Sequence, residues 1–201
     1  NFNKEKIQQM NVILSKFNEV IGEYIDENSI EIVLVKTQLP ENLGSVARGM
    51  LNFNFEKLSV IDPQFEMTNE KIIPVSAGAD HVIKNSKIFS SFPEAIKNFN
   101  YVIGTTNRIR AIKKKEITLE RISKLIEKSN NSVAIVFGPE KSGLDNDHIS
   151  LCDYVYKIET NPKFSSLNLS HAVTIICNQI NNILKKKKIN KSSTNNKIAK
   201  K

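Results

Sequence analysis

The sequence predicts an α/β fold, a mostly parallel sheet flanked by helices. Three observations lead there. Six short apolar runs, most of them rich in β-branched residues, alternate with helical stretches along the chain. Its 201 residues suffice for one ordinary domain with a sizeable core. A content of 40% apolar and 25% charged residues belongs to folded globular chains rather than disordered or fibrous ones.

Each element follows from its local pattern. Ile7, Met10, Leu14, Phe17, Ile21 and Tyr24 step by three and four, so residues 1–28 read as an amphipathic helix that packs on the main body or on a second copy. The period changes at residue 29, and IEIVLV at 30–35 is the kind of run that forms a strand buried on both faces. Further strands are expected at 58–61, 101–104, 133–137 and 154–158, with a weaker one at 87–89. Helices are expected at 45–53, 76–84, 92–99, 118–128, 145–151 and 169–185. The main domain should therefore span 29–185, followed by a disordered Lys-rich tail at 186–201.

Charge and composition narrow the function. The formal charge is +8, and residues 185–201 carry eight lysines and no acid, so the excess sits in the tail. Such a run can neutralise phosphates, although it equally suits a solvated end in a chain rich in Lys and Asn. Arg108, Arg110, Lys113, Lys114 and Lys115 form a second basic cluster with no intervening acid. No apolar run approaches the ~18–20 residues of a membrane span. Cys152, Cys177 and three scattered histidines offer no metal-ligand spacing, so no metal is expected and both thiols read as core residues of a cytoplasmic protein. The first residue is not Met and the N-terminus resembles no targeting signal, so the chain is expected to be trimmed.

In parallel sheets, ligands bind beyond the carboxyl ends of strands, which directs attention to four loops. Gly138 and Gly143 share the glycine spacing of a phosphate-binding loop, but Leu144 and Asp145 follow where Lys and Ser or Thr are required. No Gly-x-Gly-x-x-Gly opens a helix, so the dinucleotide fingerprint is absent as well. Taken singly, the two glycines suit a tight turn and Arg48 suits a surface position on a helix.

Together the loops say more. NLGSVAR (42–48), FGPEKSG (137–143) and SLNLSHA (166–172), in this order, resemble the three signature motifs of the TrmH-like branch of the SPOUT RNA methyltransferases. SAGADHV (76–82), TTNR (105–108) and NPKFSSLNL (161–169) are similar to the members of that branch that methylate the ribose 2'-hydroxyl of tRNA nucleotide 32. The resemblance covers about residues 30–184. It implies a C-terminal trefoil knot, a homodimer, and S-adenosyl-L-methionine held by Thr105, Thr106, Gly138, Glu140, Gly143, Ile158, Ser166 and Leu167. It further implies that Arg48 serves as base or electrostatic stabiliser, and that Asn42, Glu140, Ser166 and Asn168 complete the catalytic set. The alternative role for Asn42 is to cap the helix expected from residue 45. Arg48, Arg108, Arg110, Lys113, Lys114 and Lys115 would grip the RNA. Methylation of another tRNA position or of rRNA, or a noncatalytic RNA-binding role on the same fold, fits the same motifs less closely. TrmH-like enzymes of this kind commonly add a C-terminal extension that helps hold tRNA, whereas here a short Lys-rich stretch follows the domain.

Overall fold

β1 (Ile30–Val35), β2 (Leu58–Ile61), β3 (Lys87–Phe89), β4 (Tyr101–Thr105), β5 (Val133–Phe137) and β6 (Tyr154–Tyr156) lie in one sheet of order β3-β2-β1-β5-β4-β6. Every pairing in it is parallel. The computed structural model describes residues 29–107, 112–127 and 131–198, with side chains as far as residue 186. The helix expected over 1–28, together with Arg108 and Arg110, lies outside the described residues. The helices are α1 (Pro40–Leu51), α2 (Ile72–Ser76), α3 (Asp80–Lys84), α4 (Phe92–Ile96), α5 (Leu119–Ile126), α6 (Asn146–Leu151) and α7 (Leu169–Ile198).

Side-chain alternation along the strands builds two cores, one on each face of the sheet. Ile32 and Leu34 of β1 join Ile135 and Phe137 of β5 under α1, α5 and α7, with Leu43, Ile122, Val173 and Ile176 fully buried among them. Val33 and Val35 face the other way, joining Val136, Phe92 of α4 and Ile149 of α6. α1 packs close to α2 because Gly44 faces it: a Cβ there would sit 2.1 Å from the Ile72 carbonyl oxygen.

The helices depart from expectation in three places, each with a local cause. α1 begins at Pro40 rather than at 45, with proline at the first helical position, where its missing N–H costs nothing. The single helix expected over 76–84 is split into α2 and α3, because Ala77 (φ 46°) and Gly78 (φ 93°) both adopt left-handed backbone. The helix expected over 169–185 runs on to Ile198 as α7. No Gly or Pro interrupts residues 169–198, and lysine is a good helix former, so nothing local stops the helix at 185. No helix among the described residues is long and apolar enough to cross a membrane.

Candidate active site

Beyond the carboxyl ends of β4, β5 and β6 the chain encloses a cavity of about 280 Å³. Thr105 closes β4, and its Oγ1 donates to the Val136 carbonyl at 2.8 Å, bracing that strand end against β5. The Thr106 amide donates to the Tyr156 carbonyl of β6 at 3.1 Å. The following Asn107 reaches the third loop: its Nδ2 donates to Thr160 Oγ1 at 3.0 Å and to the Ser165 carbonyl at 2.6 Å. The loop after β5 turns sharply, with the Gly143 amide donating to the Pro139 carbonyl at 2.8 Å and Gly143 itself at φ 65°. Gly138 is packed against that turn. A Cβ on it would lie 2.2 Å from the Leu144 nitrogen and 2.3 Å from the Gly143 carbonyl carbon, both backbone atoms.

Thr105, Thr106, Gly138, Glu140, Gly143, Ile158, Ser166 and Leu167 all line this one cavity. Asn107, Pro139 and Ser165, which lie inside the quoted motifs, line it as well, and so does Thr160, which lies outside them. All four sit inside the loops the sequence singled out, so the loops were legible but the choice of side chain within each was not. The walls are mostly neutral: backbone amides and carbonyls, hydroxyls and an amide, with Ile158 and Leu167 supplying apolar surface. That mixture suits a small organic ligand with a heteroaromatic part and needs no phosphate cradle.

A hydrogen-bonded chain ties the cavity to α1 and α7. Glu140 accepts from the Gln38 amide at 3.0 Å, from the Leu39 amide at 3.4 Å and from Asn42 Nδ2 at 2.8 Å. Asn42 Oδ1 in turn accepts from Asn168 Nδ2 at 2.9 Å. Asn168 Oδ1 then caps the first turn of α7, accepting from the Ser170 amide at 2.8 Å and the Ser170 hydroxyl at 2.7 Å. Asn42 lies within the first turn of α1, after Pro40, so it does not cap that helix; it bridges Glu140 and Asn168. The Glu140 carboxylate holds the amides of Gln38 and Leu39 just ahead of α1, where the helix dipole favours a negative charge.

Arg48 stands apart from the cavity. It lies in the last turn of α1, exposed, and its guanidinium makes no hydrogen bond or ion pair among the described residues. The basic cluster divides. Lys113 and Lys115 are exposed, whereas Lys114 Nζ donates to the carbonyls of Ser150 at 2.8 Å and Cys152 at 2.7 Å, at the C-terminal end of α6. Burial pushes the Cys152 and Cys177 thiols up to about 12, so neither is a nucleophile near neutral pH. A second cavity, of about 350 Å³ beyond β1 and β2, is lined by Lys36, Asp62, His148 and neighbours, and contains none of the residues the motifs mark. Among the described residues no group of three or more His, Cys, Asp or Glu could hold a metal ion.

Residues 29–178 match the SpoU rRNA Methylase family. The chain is 34% identical over 154 residues to tRNA (cytidine-2'-O-)-methyltransferase TrmJ of Methanocaldococcus jannaschii, covering 75% of this chain and 66% of that one. It is 36% identical over 157 residues to tRNA (cytidine/uridine-2'-O-)-methyltransferase TrmJ of Salmonella typhimurium, covering 76% and 63%. It therefore spans about two thirds or less of these relatives' length. The crystal structure of TrmJ from Z. mobilis ZM4 is similar with a TM-score of 0.71 at 36% identity, over 75% of this chain and 67% of that one. The architecture is that of the SPOUT methyltransferases, the α/β knot class that the motifs imply. Matched by the family over three quarters of its length, the chain belongs to the SpoU rRNA methylase family.

Proposed function

We propose that the protein is an S-adenosyl-L-methionine-dependent RNA 2'-O-methyltransferase that acts on tRNA at nucleotide 32, as a homodimer in the cytoplasm. One observation carries this reading: eight residues assigned to a cofactor site from three separate loops converge on one cavity. The names of the TrmJ relatives support tRNA as the substrate. The family's description favours rRNA as a second reading.

The residues divide the work. When bound, S-adenosyl-L-methionine supplies an electrophilic methyl group on a sulfonium. Thr105 at the end of β4, Thr106 after it and the backbone at 138–143 would offer polar groups to the edge of an adenine, and Ile158 and Leu167 would supply apolar surface for its faces. Glu140, through Asn42 and Asn168, holds α1 and α7 in register with the cavity. These three are positioning residues. The guanidinium of Arg48 would serve as the cation that stabilises the developing ribose alkoxide and the adjoining phosphate, while the hydroxyl proton passes to solvent water.

Calorimetry with S-adenosyl-L-methionine in the presence of a chelator, then mass spectrometry of tRNA after incubation, tests the reading. Saturable binding and a new 2'-O-methyl at nucleotide 32 are expected. Arg48→Ala should lower transfer by about 10²–10³-fold while cofactor affinity stays within a few-fold. A wild-type protein that binds no cofactor would end the proposal; one that methylates rRNA and not tRNA would redirect it to the second reading. Light scattering near 22.7 kDa would refute the homodimer.

A further inference from the structure

We infer that Phe164, assisted by Leu39, forms an apolar rim at the mouth of the cavity that receives the unstacked base of the nucleotide being methylated. This rests on the methyltransferase reading above and adds to it a substrate contact. Phe164 is 80% exposed, the most open large apolar side chain among the described residues, and Leu39 is 51% exposed. Full burial of a phenylalanine is worth about 1.5–3 kcal/mol, so a ring left in water is a standing preference for a partner.

The backbone that carries each of them is held beside residues that line the cavity. Phe164 directly precedes Ser165 and Ser166, which line it, and the Ser165 carbonyl is pinned by Asn107. On its other side the turn is closed twice: the Phe164 amide donates to the Asn161 carbonyl at 2.9 Å, and the Lys163 amide donates to Asn161 Oδ1 at 3.0 Å. Leu39 is tethered through its amide to the carboxylate of Glu140, itself a lining residue. The loop that carries the exposed ring is thus braced on both sides.

The occupant follows from the chemistry of the step. Single-stranded and loop nucleotides are the ones proteins draw away from their neighbours, and a base so drawn needs a new face to stack on. An aromatic side chain with cations close by is the usual way proteins hold such a base. Lys163 adjoins Phe164, Lys36 lies three residues before Leu39, and both lysines are exposed.

The test uses the full chain, a tRNA transcript and three variants. Phe164→Ala should raise KM for the transcript by about 5- to 150-fold, the range of one base–aromatic stack. Affinity for S-adenosyl-L-methionine and the mass by light scattering should not change. Phe164→Tyr should restore KM, and Phe164→Leu, equally apolar, should not. An unchanged KM in Phe164→Ala, or full rescue by leucine, would overturn the inference. So would a change of mass, which would make the ring an interface between copies. Failure of the wild-type protein to bind cofactor or methylate RNA is a different result, and it removes the underlying reading before any variant is compared.

Discussion

Two carboxylates are drawn into opposite ends of the same sheet, and they do different work. Glu31, near the amino end of β1, is 5% exposed and is satisfied by the Ser59 hydroxyl of β2 and by Lys87 Nζ of β3 at 3.2 Å. Its partners sit on neighbouring strands, so it laces the sheet together. Glu140, beyond the carboxyl end of β5, takes its donors from Gln38, Leu39 and Asn42, about a hundred residues away in the chain. Its partners are loop and helix, so it fixes the placement of a cavity wall. Burial alone would rank Glu31 as the more important group. The identity of the partners points to Glu140 as the functional one.

The largest effect is expected where the carboxyl end is tightest. Gly138→Val should abolish S-adenosyl-L-methionine binding and lower stability by about 1–3 kcal/mol, because its Cβ would be driven into the Gly143–Leu144 backbone, which has no rotamer to yield. Calorimetry and a thermal melt separate the two consequences. Normal cofactor affinity in a folded variant would remove this loop from the binding site.

Next come the two carboxylates themselves. Glu140→Gln can no longer accept from both the backbone amides and Asn42, so α1 should shift relative to the cavity; displacements of this kind cost on the order of 10²-fold in rate. Glu31→Gln should leave the rate untouched and cost about 1–2 kcal/mol in denaturant unfolding, since it weakens the bonds to Ser59 and Lys87. If both variants lost stability and kept their rate, the two ends of the sheet would be doing the same structural work.

The same contrast explains what could be read from the sequence. Strands were legible because burial on both faces selects continuous apolar runs: β1, β2, β3 and β5 occupy the expected residues, and only β4 and β6 differ at their ends. The start of α1 had a local signal in Pro40, but the carboxylate that holds the preceding Gln38 and Leu39 amides belongs to residue 140 and leaves no local trace. The break between α2 and α3 turns on Ala77 in left-handed backbone, a conformation that alanine does not advertise. The loops of the cavity were marked by motif resemblance and not by periodicity. Within them the bridging role of Asn107 depends on Thr160 and Ser165, more than fifty residues distant.

The smallest effect should come from the basic cluster, where neighbours in sequence fall on different sides of the comparison. Lys114 holds the Ser150 and Cys152 carbonyls just ahead of β6, at a strand's amino end like Glu31. A cation there answers the carbonyls left over where α6 stops. Lys114→Ala should cost about 1 kcal/mol of stability and leave the salt dependence of RNA binding unchanged. Lys113 and Lys115 are exposed, and each is free to meet a phosphate. Replacing either with alanine should leave stability unchanged and flatten the slope of log affinity against log salt by roughly 0.7–0.9. Filter binding of a tRNA transcript at several salt concentrations, beside denaturant melts of the three variants, measures both quantities. A flattened slope for Lys114→Ala, or an unchanged slope for the other two, would show that the division read from the hydrogen bonds does not carry over to the RNA.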